Sequence, residues 1–182
     1  RVASLFVFLL SGFYSLSAQN GNIPTSFDPS VKPKLVVGIV VDQMRHDYLS
    51  KFYSNYGTGG FRRFTDEGFV LRNMHYNYVP TNTAPGHASI YSGTTPATHG
   101  IMGNYWYDRD KNESIYCVDD NAYKTVGTEL EIGQKSPKNL MASTIGDELK
   151  LSNNGRSKVI SLSIKDRGAV LPGGYSADAA YW

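Results

Sequence analysis

Four places in the sequence combine residue types and positions that could do chemistry. The first is Asp42, directly after the apolar run LVVGIVV at 35–41. In open α/β sheets, ligands sit beyond the carboxyl ends of the strands, so a carboxylate there could hold a metal ion or a substrate. Hard oxygen donors suit Mg²⁺, and Zn²⁺ accepts them too. An aspartate that caps a helix would look the same. The second is the segment PTNTAPGH at 80–87. Thr83 can cap a helix starting at Ala84, with Pro85 in the first turn. A hydroxyl there lies at the positive end of the helix dipole, beside free N–H groups that can hold phosphoryl oxygens. It could act as a nucleophile if a metal lowered its pKa, or be a plain N-cap. The third is Asn104, in a glycine-containing loop before the aromatic run YWY at 105–107. Its amide could donate to an anionic oxygen or serve only as a turn residue. The fourth is Lys165-Asp166-Arg167, after the apolar stretch KVISLSI at 158–164. Strand alternation would place Lys165 and Arg167 on one side, where they could clamp an anion. Two solvated charges are the plainer alternative.

Other common constellations are missing. The chain has no GxxxxGK[ST] phosphate loop, no GxGxxG after a strand, no GxSxG elbow and no HExxH. His46, His75, His87 and His99 form no i,i+4 pair and read as structural. Cys117 is the single cysteine, which excludes an intrachain disulfide and reads as a small buried apolar residue. Asn112-Glu113-Ser114 matches a glycosylation sequon, a frequent chance pattern. The 182 residues carry 18 Lys+Arg against 16 Asp+Glu, a net charge of +2. That balance gives no reason to propose a nucleic-acid partner or a polybasic membrane patch. Hydrophobic residues at 41% exclude a disordered chain.

The elements that must position these residues read as α/β. Residues 35–41 look like a strand buried on both faces, of the kind found in parallel sheets. Residues 48–67 read as helical, interrupted by Gly57, Gly59 and Gly60. Residues 69–78 have strand character, 84–91 read as a short helix stopped by Gly93, and 105–128 as an excursion of short strands. Ser136 and Pro137 signal a helix start, with Met141, Ile145 and Leu149 as its apolar stripe and Asn153-Asn154-Gly155 as its end. Residues 158–164 read as a strand. This order predicts a doubly wound, mostly parallel sheet with helices on both faces, incomplete in this chain.

The N-terminus reads as a targeting segment. Arg1 precedes the apolar run VASLFVFLL, and small residues follow to Ala18. This is the layout of a secretory signal peptide over 1–18, with a polar linker over 19–34 and the mature domain over 35–182. The apolar run is too short to span a bilayer. The expected product is exported, periplasmic or secreted, with no stable membrane anchor after cleavage.

The motifs VVDQMR at 40–45, VPTNT at 79–83, Gly86-His87, Gly103-Asn104, WYD at 106–108, SPKNL at 136–140 and KDR at 165–167 together resemble the alkaline phosphatase superfamily. The likeness is closest to its phosphate-irrepressible (PafA-type) branch, within the type I phosphodiesterase and nucleotide pyrophosphatase-like group. It runs in order over nearly all of 34–182. The resemblance implies an alkaline phosphatase-like fold and a metal-dependent phosphate monoester hydrolase. It implies two zinc ions (Zn2+), with Asp42 and Thr83 as metal ligands and Thr83 as the nucleophile that becomes phosphothreonine. It assigns Asn104, Lys165 and Arg167 to the phosphoryl oxygens. The substrates expected are small-molecule phosphate monoesters, because two cations favour a doubly charged group over a diester.

The same resemblance implies that the chain is an N-terminal piece. Only fifteen residues follow Arg167, and a catalytic zinc site needs at least three protein ligands. Further ligands are expected beyond Trp182, with the isolated piece inert. Two rivals stand beside this reading. One is a nucleotide pyrophosphatase or phosphodiesterase of the same superfamily, and the other a non-enzymatic exported anion-binding domain.

Overall fold

The computed structural model describes residues 33–182. The signal peptide expected over 1–18 lies outside the described residues, as does nearly all of the linker expected over 19–34. The described residues fall into two compact units.

One unit holds the described residues up to Ile39 and His46–Val70. It contains α1 (Tyr48–Lys51), a 3-10 turn at Tyr53–Asn55, and α2 (Gly60–Glu67). This matches the interrupted helix expected over 48–67. Gly60, at φ 56°, takes a left-handed conformation as α2 begins. The Tyr53 hydroxyl ties the turn to α2 by donating to the Asp66 carboxylate at 2.6 Å. The Arg62–Asp66 and Arg63–Glu67 pairs are exposed i,i+4 contacts worth a few tenths of a kcal/mol each.

The other unit holds Val40–Arg45 and Leu71–Trp182. Its helices are α3 (Thr83–Ser92), α4 (Pro96–His99), α5 (Ile145–Ser152) and α6 (Asp166–Gly173). Its strands are β1 (Tyr105–Asp108), β2 (Glu113–Tyr116), β3 (Ile160–Leu162) and β4 (Ala179–Tyr181). The antiparallel hairpin β1–β2 pairs Tyr105 with Tyr116, and the parallel pair β3–β4 aligns Ile160 with Ala179. Helix α6 is the crossover between β3 and β4, which parallel strands require. The α/β class holds, and the sheet is incomplete in this chain.

The core follows from small residues. Ala84 and Ala88 of α3 are fully buried with Ile101, Cys117, Val118, Leu140, Val170 and Leu171. On α6, Gly168 leaves no room for a larger residue, because a Cβ there would collide with the Ser163 hydroxyl. Gly93, at φ 69°, ends α3 in the left-handed conformation that its N–H bond to the Ser89 carbonyl requires. Cys117 is buried as expected, and desolvation pushes its thiol up to about 12. His99 is fully buried too. Its Nδ1 accepts the Ile101 N–H at 3.1 Å, so the ring proton sits on Nε2 and donates to the Ser89 hydroxyl at 2.9 Å. Burial holds this imidazole below its usual pKa and hence neutral.

Three expected elements take a different form. Residues 35–41 form no strand, and Leu35 and Ile39 are 79% and 72% exposed. A strand buried on both faces needs ladder neighbours and two covering layers. The described residues form only two-stranded sheets, and neither includes this run. Residues 69–78 form bends and turns, also without a ladder partner. The signal at Ser136 and Pro137 produces a single turn, closed by the Leu140 N–H on the Pro137 carbonyl at 2.7 Å. The chain is then drawn sideways. Asn139 Nδ2 donates to the Cys117 carbonyl, Leu140 enters the core, and the Met141 N–H bonds the His99 carbonyl. Helix α5 starts only after Thr144, so Met141 stands outside it. Met141, Ile145 and Leu149 are all exposed and form no buried stripe.

Thr144 and Asp147 build a capping box. The Asp147 carboxylate also accepts from the N–H and hydroxyl of Ser176, each at 2.7 Å. Burial pushes this carboxyl up, yet the bonds from Ser176 and Thr144 outweigh it and hold it below the usual range. A depressed folded pKa stabilises above the unfolded value, near 3.9, and that stability is lost as pH falls through the folded value. Asp147→Asn is expected to cost about 1–3 kcal/mol at neutral pH. It should also flatten the loss of stability below about pH 4 in urea titrations of the parent protein.

Candidate active site

Asp42 sits in a tight turn closed by the Met44 N–H on the Val41 carbonyl at 3.3 Å, with Gln43 at φ 62°. The turn presents one carboxylate oxygen, Oδ2, to two donors. The Thr83 hydroxyl donates to it at 3.2 Å and the Lys165 ammonium at 2.8 Å. Residues 41 and 123 positions distant from Asp42 therefore meet on one atom. The Lys165 hydrogen bond is the main reason the Asp42 carboxyl lies below its usual pKa, against an opposing push from burial. The Thr83 hydroxyl bond acts in the same direction as Lys165. Asp42 and Lys165 are 34% and 37% exposed, so the pair is open to solvent and to ligands.

Thr83 is the first residue of α3 and does not cap it. Asn82 occupies the cap position in extended conformation, with no side-chain cap bond. This frees the Thr83 hydroxyl for Asp42 while leaving it beside the positive end of the helix. Asn104 does the satisfying from outside the helix. Its Oδ1 accepts the Ala84 N–H at 2.9 Å, one of the donors that a helix start leaves orphaned. The amide is thereby oriented with its N–H donors unclaimed by protein among the described residues. His87, one turn on, donates from Nδ1 to the Thr83 carbonyl at 2.8 Å. That bond braces the first turn from within.

Lys165 and Arg167 are not related by strand alternation. β3 ends at Leu162, Lys165 is the N-cap of α6, and Arg167 lies in the first helical turn. The two cations consequently diverge. Lys165 reaches Asp42, whereas Arg167 Nη1 donates to the Tyr116 hydroxyl at 2.8 Å and makes no hydrogen bond to Asp42, Thr83 or Lys165. The structure thus joins Asp42, Thr83 and Lys165 directly. Asn104 is joined to them through the α3 backbone, and Arg167 is held separately on the β2 side. Tyr116, Asp166 and His87 are neighbours that the sequence reading did not assign. Asp166 is visible in the sequence as the acid between two cations and His87 as part of the Gly86-His87 motif, whereas Tyr116 gives no signal. Among the described residues, no group of three or more His, Cys, Asp or Glu is placed to hold a metal ion.

A carboxylate, a helix-start hydroxyl, an oriented amide and the Lys165 ammonium on an α/β scaffold form a group suited to an anionic, oxygen-rich ligand, with Arg167 held apart on Tyr116. A family model for type I phosphodiesterase / nucleotide pyrophosphatase matches residues 36–179, and the chain belongs to that family. Among its relatives, alkaline phosphatase PhoV of Synechococcus elongatus is 52% identical over 180 residues, covering 98% of this chain and 33% of that protein. The crystal structure of wild-type alkaline phosphatase PafA superposes with a TM-score of 0.82 at 50% identity, covering 84% of this chain and 29% of that one. A solved PafA variant, substituted at a threonine, an asparagine, a lysine and an arginine, superposes with a TM-score of 0.77 at 46% identity. It covers 79% of this chain and 28% of that chain. The chain spans about a third of the length of the relatives it matches.

Proposed function

We propose that the parent protein is an exported, metal-dependent phosphate monoester hydrolase that works through a phosphothreonine on Thr83. The observation that carries this reading is the shared contact of Thr83 and Lys165 on Asp42 Oδ2 at a helix N-terminus. The relatives named as alkaline phosphatases support it. So does the PafA variant, whose four substituted residue types match Thr83, Asn104, Lys165 and Arg167 in kind and order.

Asp42 Oδ2 and Thr83 Oγ1 are hard oxygen donors 3.2 Å apart, a pair that fits a zinc centre in kind. They are two ligands only, so the remaining ligands of two zinc ions are proposed to come from outside the described residues. Bound metal would supply Lewis-acid polarisation and charge neutralisation. The chain's own residues do the rest. Thr83 Oγ1 gives up its proton to solvent and forms the bond to phosphorus as the leaving alkoxide departs and takes up a proton, and water later breaks that bond, freeing phosphate and restoring the hydroxyl. Asn104 offers its amide donors to a non-bridging oxygen, held in orientation by Ala84 N–H. Lys165 and Arg167 add positive charge where the transferring group carries most of its own. If Asp42 held the metal, the Lys165 ammonium, now bonded to Asp42 Oδ2, would be available to the substrate.

Small-molecule phosphate monoesters fit this arrangement because their terminal group carries two charges. The family's description keeps a second reading open, hydrolysis of nucleotide pyrophosphates or phosphodiesters. Turnover of an aryl phosphate monoester and a matched diester by the full-length protein separates the two. The monoester should be hydrolysed faster, chelation should remove activity, and zinc should restore it. Preference for the diester favours the second reading, and the absence of turnover on either ester favours an anion-binding domain. Export is proposed from the signal-like pattern of residues 1–18. Cleavage near Ala18 in the mature protein is its check.

A further inference from the structure

Arg167 is held in an unusual way for a cation with a carboxylate next to it in sequence. Its Nη1 stands 3.7 Å from Asp166 Oδ1, beyond hydrogen-bond reach. The Tyr116 hydroxyl stands between them. It accepts from Arg167 Nη1 at 2.8 Å and donates its proton to Asp166 Oδ1 at 2.5 Å. Asp166 Oδ1 also accepts the Arg167 backbone N–H at 2.7 Å, which pins the carboxylate to the start of α6. The Arg167 Nε is buried and has no partner. An unpaired buried donor is costly, and it marks where an acceptor is missing. With Nη1 engaged on one side, Nε and Nη2 are left without a protein hydrogen-bond partner among the described residues, the pair of donors that suits a phosphoryl group in bidentate fashion. The Tyr116 phenol is pushed up by burial and by its bond to Asp166, so it stays neutral and able to donate.

We propose that Tyr116 is a positioning residue for Arg167. Its hydroxyl holds Nη1, keeps the guanidinium from a direct hydrogen bond to Asp166, which stays an ion-pair neighbour at 3.7 Å, and so leaves the Nε/Nη2 fork for the phosphoryl group. The inference rests on the phosphoryl-binding role proposed above for Arg167. Tyr116 comes from the β1–β2 hairpin, which gives that excursion a part in selecting doubly charged substrates.

The test uses the full-length, metal-loaded parent with an aryl phosphate monoester, a matched diester and inorganic phosphate as inhibitor. Tyr116→Phe keeps the ring, whose centroid lies 6.0 Å from Arg167 Cζ, and removes only the hydroxyl. Its monoester kcat/KM should fall about tenfold, with a much smaller loss on the diester and weaker inhibition by phosphate. The monoester-to-diester ratio is independent of the folded fraction, so reduced folding cannot mimic the effect. Tyr116→Met, which fills the space without a hydroxyl, should show the same ratio. Combined with Arg167→Ala, Tyr116→Phe should add no further loss, because its effect passes through Arg167. Equal losses on both esters, unchanged kinetics, or full additivity with Arg167→Ala would overturn the role of Tyr116. If Arg167→Ala itself leaves the monoester rate intact, the phosphoryl-binding reading falls with it.

Discussion

Thr83→Ala in the full-length parent is expected to lower the rate of phosphate release by at least about a thousandfold, the scale of losing the covalent nucleophile proposed above. The expectation comes from position as much as from residue type. Thr83 is the first residue of α3, its hydroxyl points to Asp42 Oδ2 at 3.2 Å, and the Ala84 N–H at the helix start is satisfied by Asn104 instead. Because the Thr83 hydroxyl bonds Asp42 and not the helix backbone, removing it should leave the helix intact. Thermal melting of the variant should stay within a few degrees of wild type while turnover disappears. Thr83→Ser, which keeps the hydroxyl, should retain far more activity than alanine.

Lys165→Ala is expected to produce the second large effect, about 10²- to 10³-fold on monoester turnover and distinctly less on diesters. A monoester's transferring group carries one charge more than a diester's, so loss of a cation weighs more on it. The same substitution also removes the 2.8 Å partner of Asp42, whose hydrogen bond is the main cause of that carboxyl's low pKa. Parallel kinetics on the two ester types measure the effect. Equal loss on both would contradict the assignment of Lys165 to the transferred phosphoryl group.

How much of this was legible in the sequence depends on how local each signal is. Helix α3 could be read because its Thr-Ala-Pro start and its Gly93 stop are written within ten residues. The hairpin β1–β2 lies within the aromatic-rich stretch over 105–128 read as an excursion of short strands, of which 105–108 and 113–116 form the pair. Residues 35–41 were misread because burial of an apolar run is a property of its neighbours, and no strand among the described residues pairs with it. The Ser136 and Pro137 helix failed because Asn139, Leu140 and Met141 find stronger partners at Cys117, the core and His99 than a continued helix would offer. At the site, Asp42, Thr83, Asn104 and Lys165 were named from residue type and resemblance. The contact that unites Asp42 with Lys165 spans 123 residues and leaves no trace in local pattern. Arg167 was named too, yet strand alternation gave the wrong reason for its placement, since α6 begins at Asp166. Tyr116 was invisible, because its partners lie 50 and 51 residues downstream on another element.

The central claim is that Thr83 carries the phosphoryl group during turnover. Acid quenching of the full-length enzyme during hydrolysis of an aryl phosphate, followed by peptide mass spectrometry, addresses it directly. The account predicts one phosphoryl group on the peptide containing Thr83, assigned to that threonine, and none in Thr83→Ala. Rapid turnover with phosphate trapped on another residue, or sustained hydrolysis by Thr83→Ala, would contradict it.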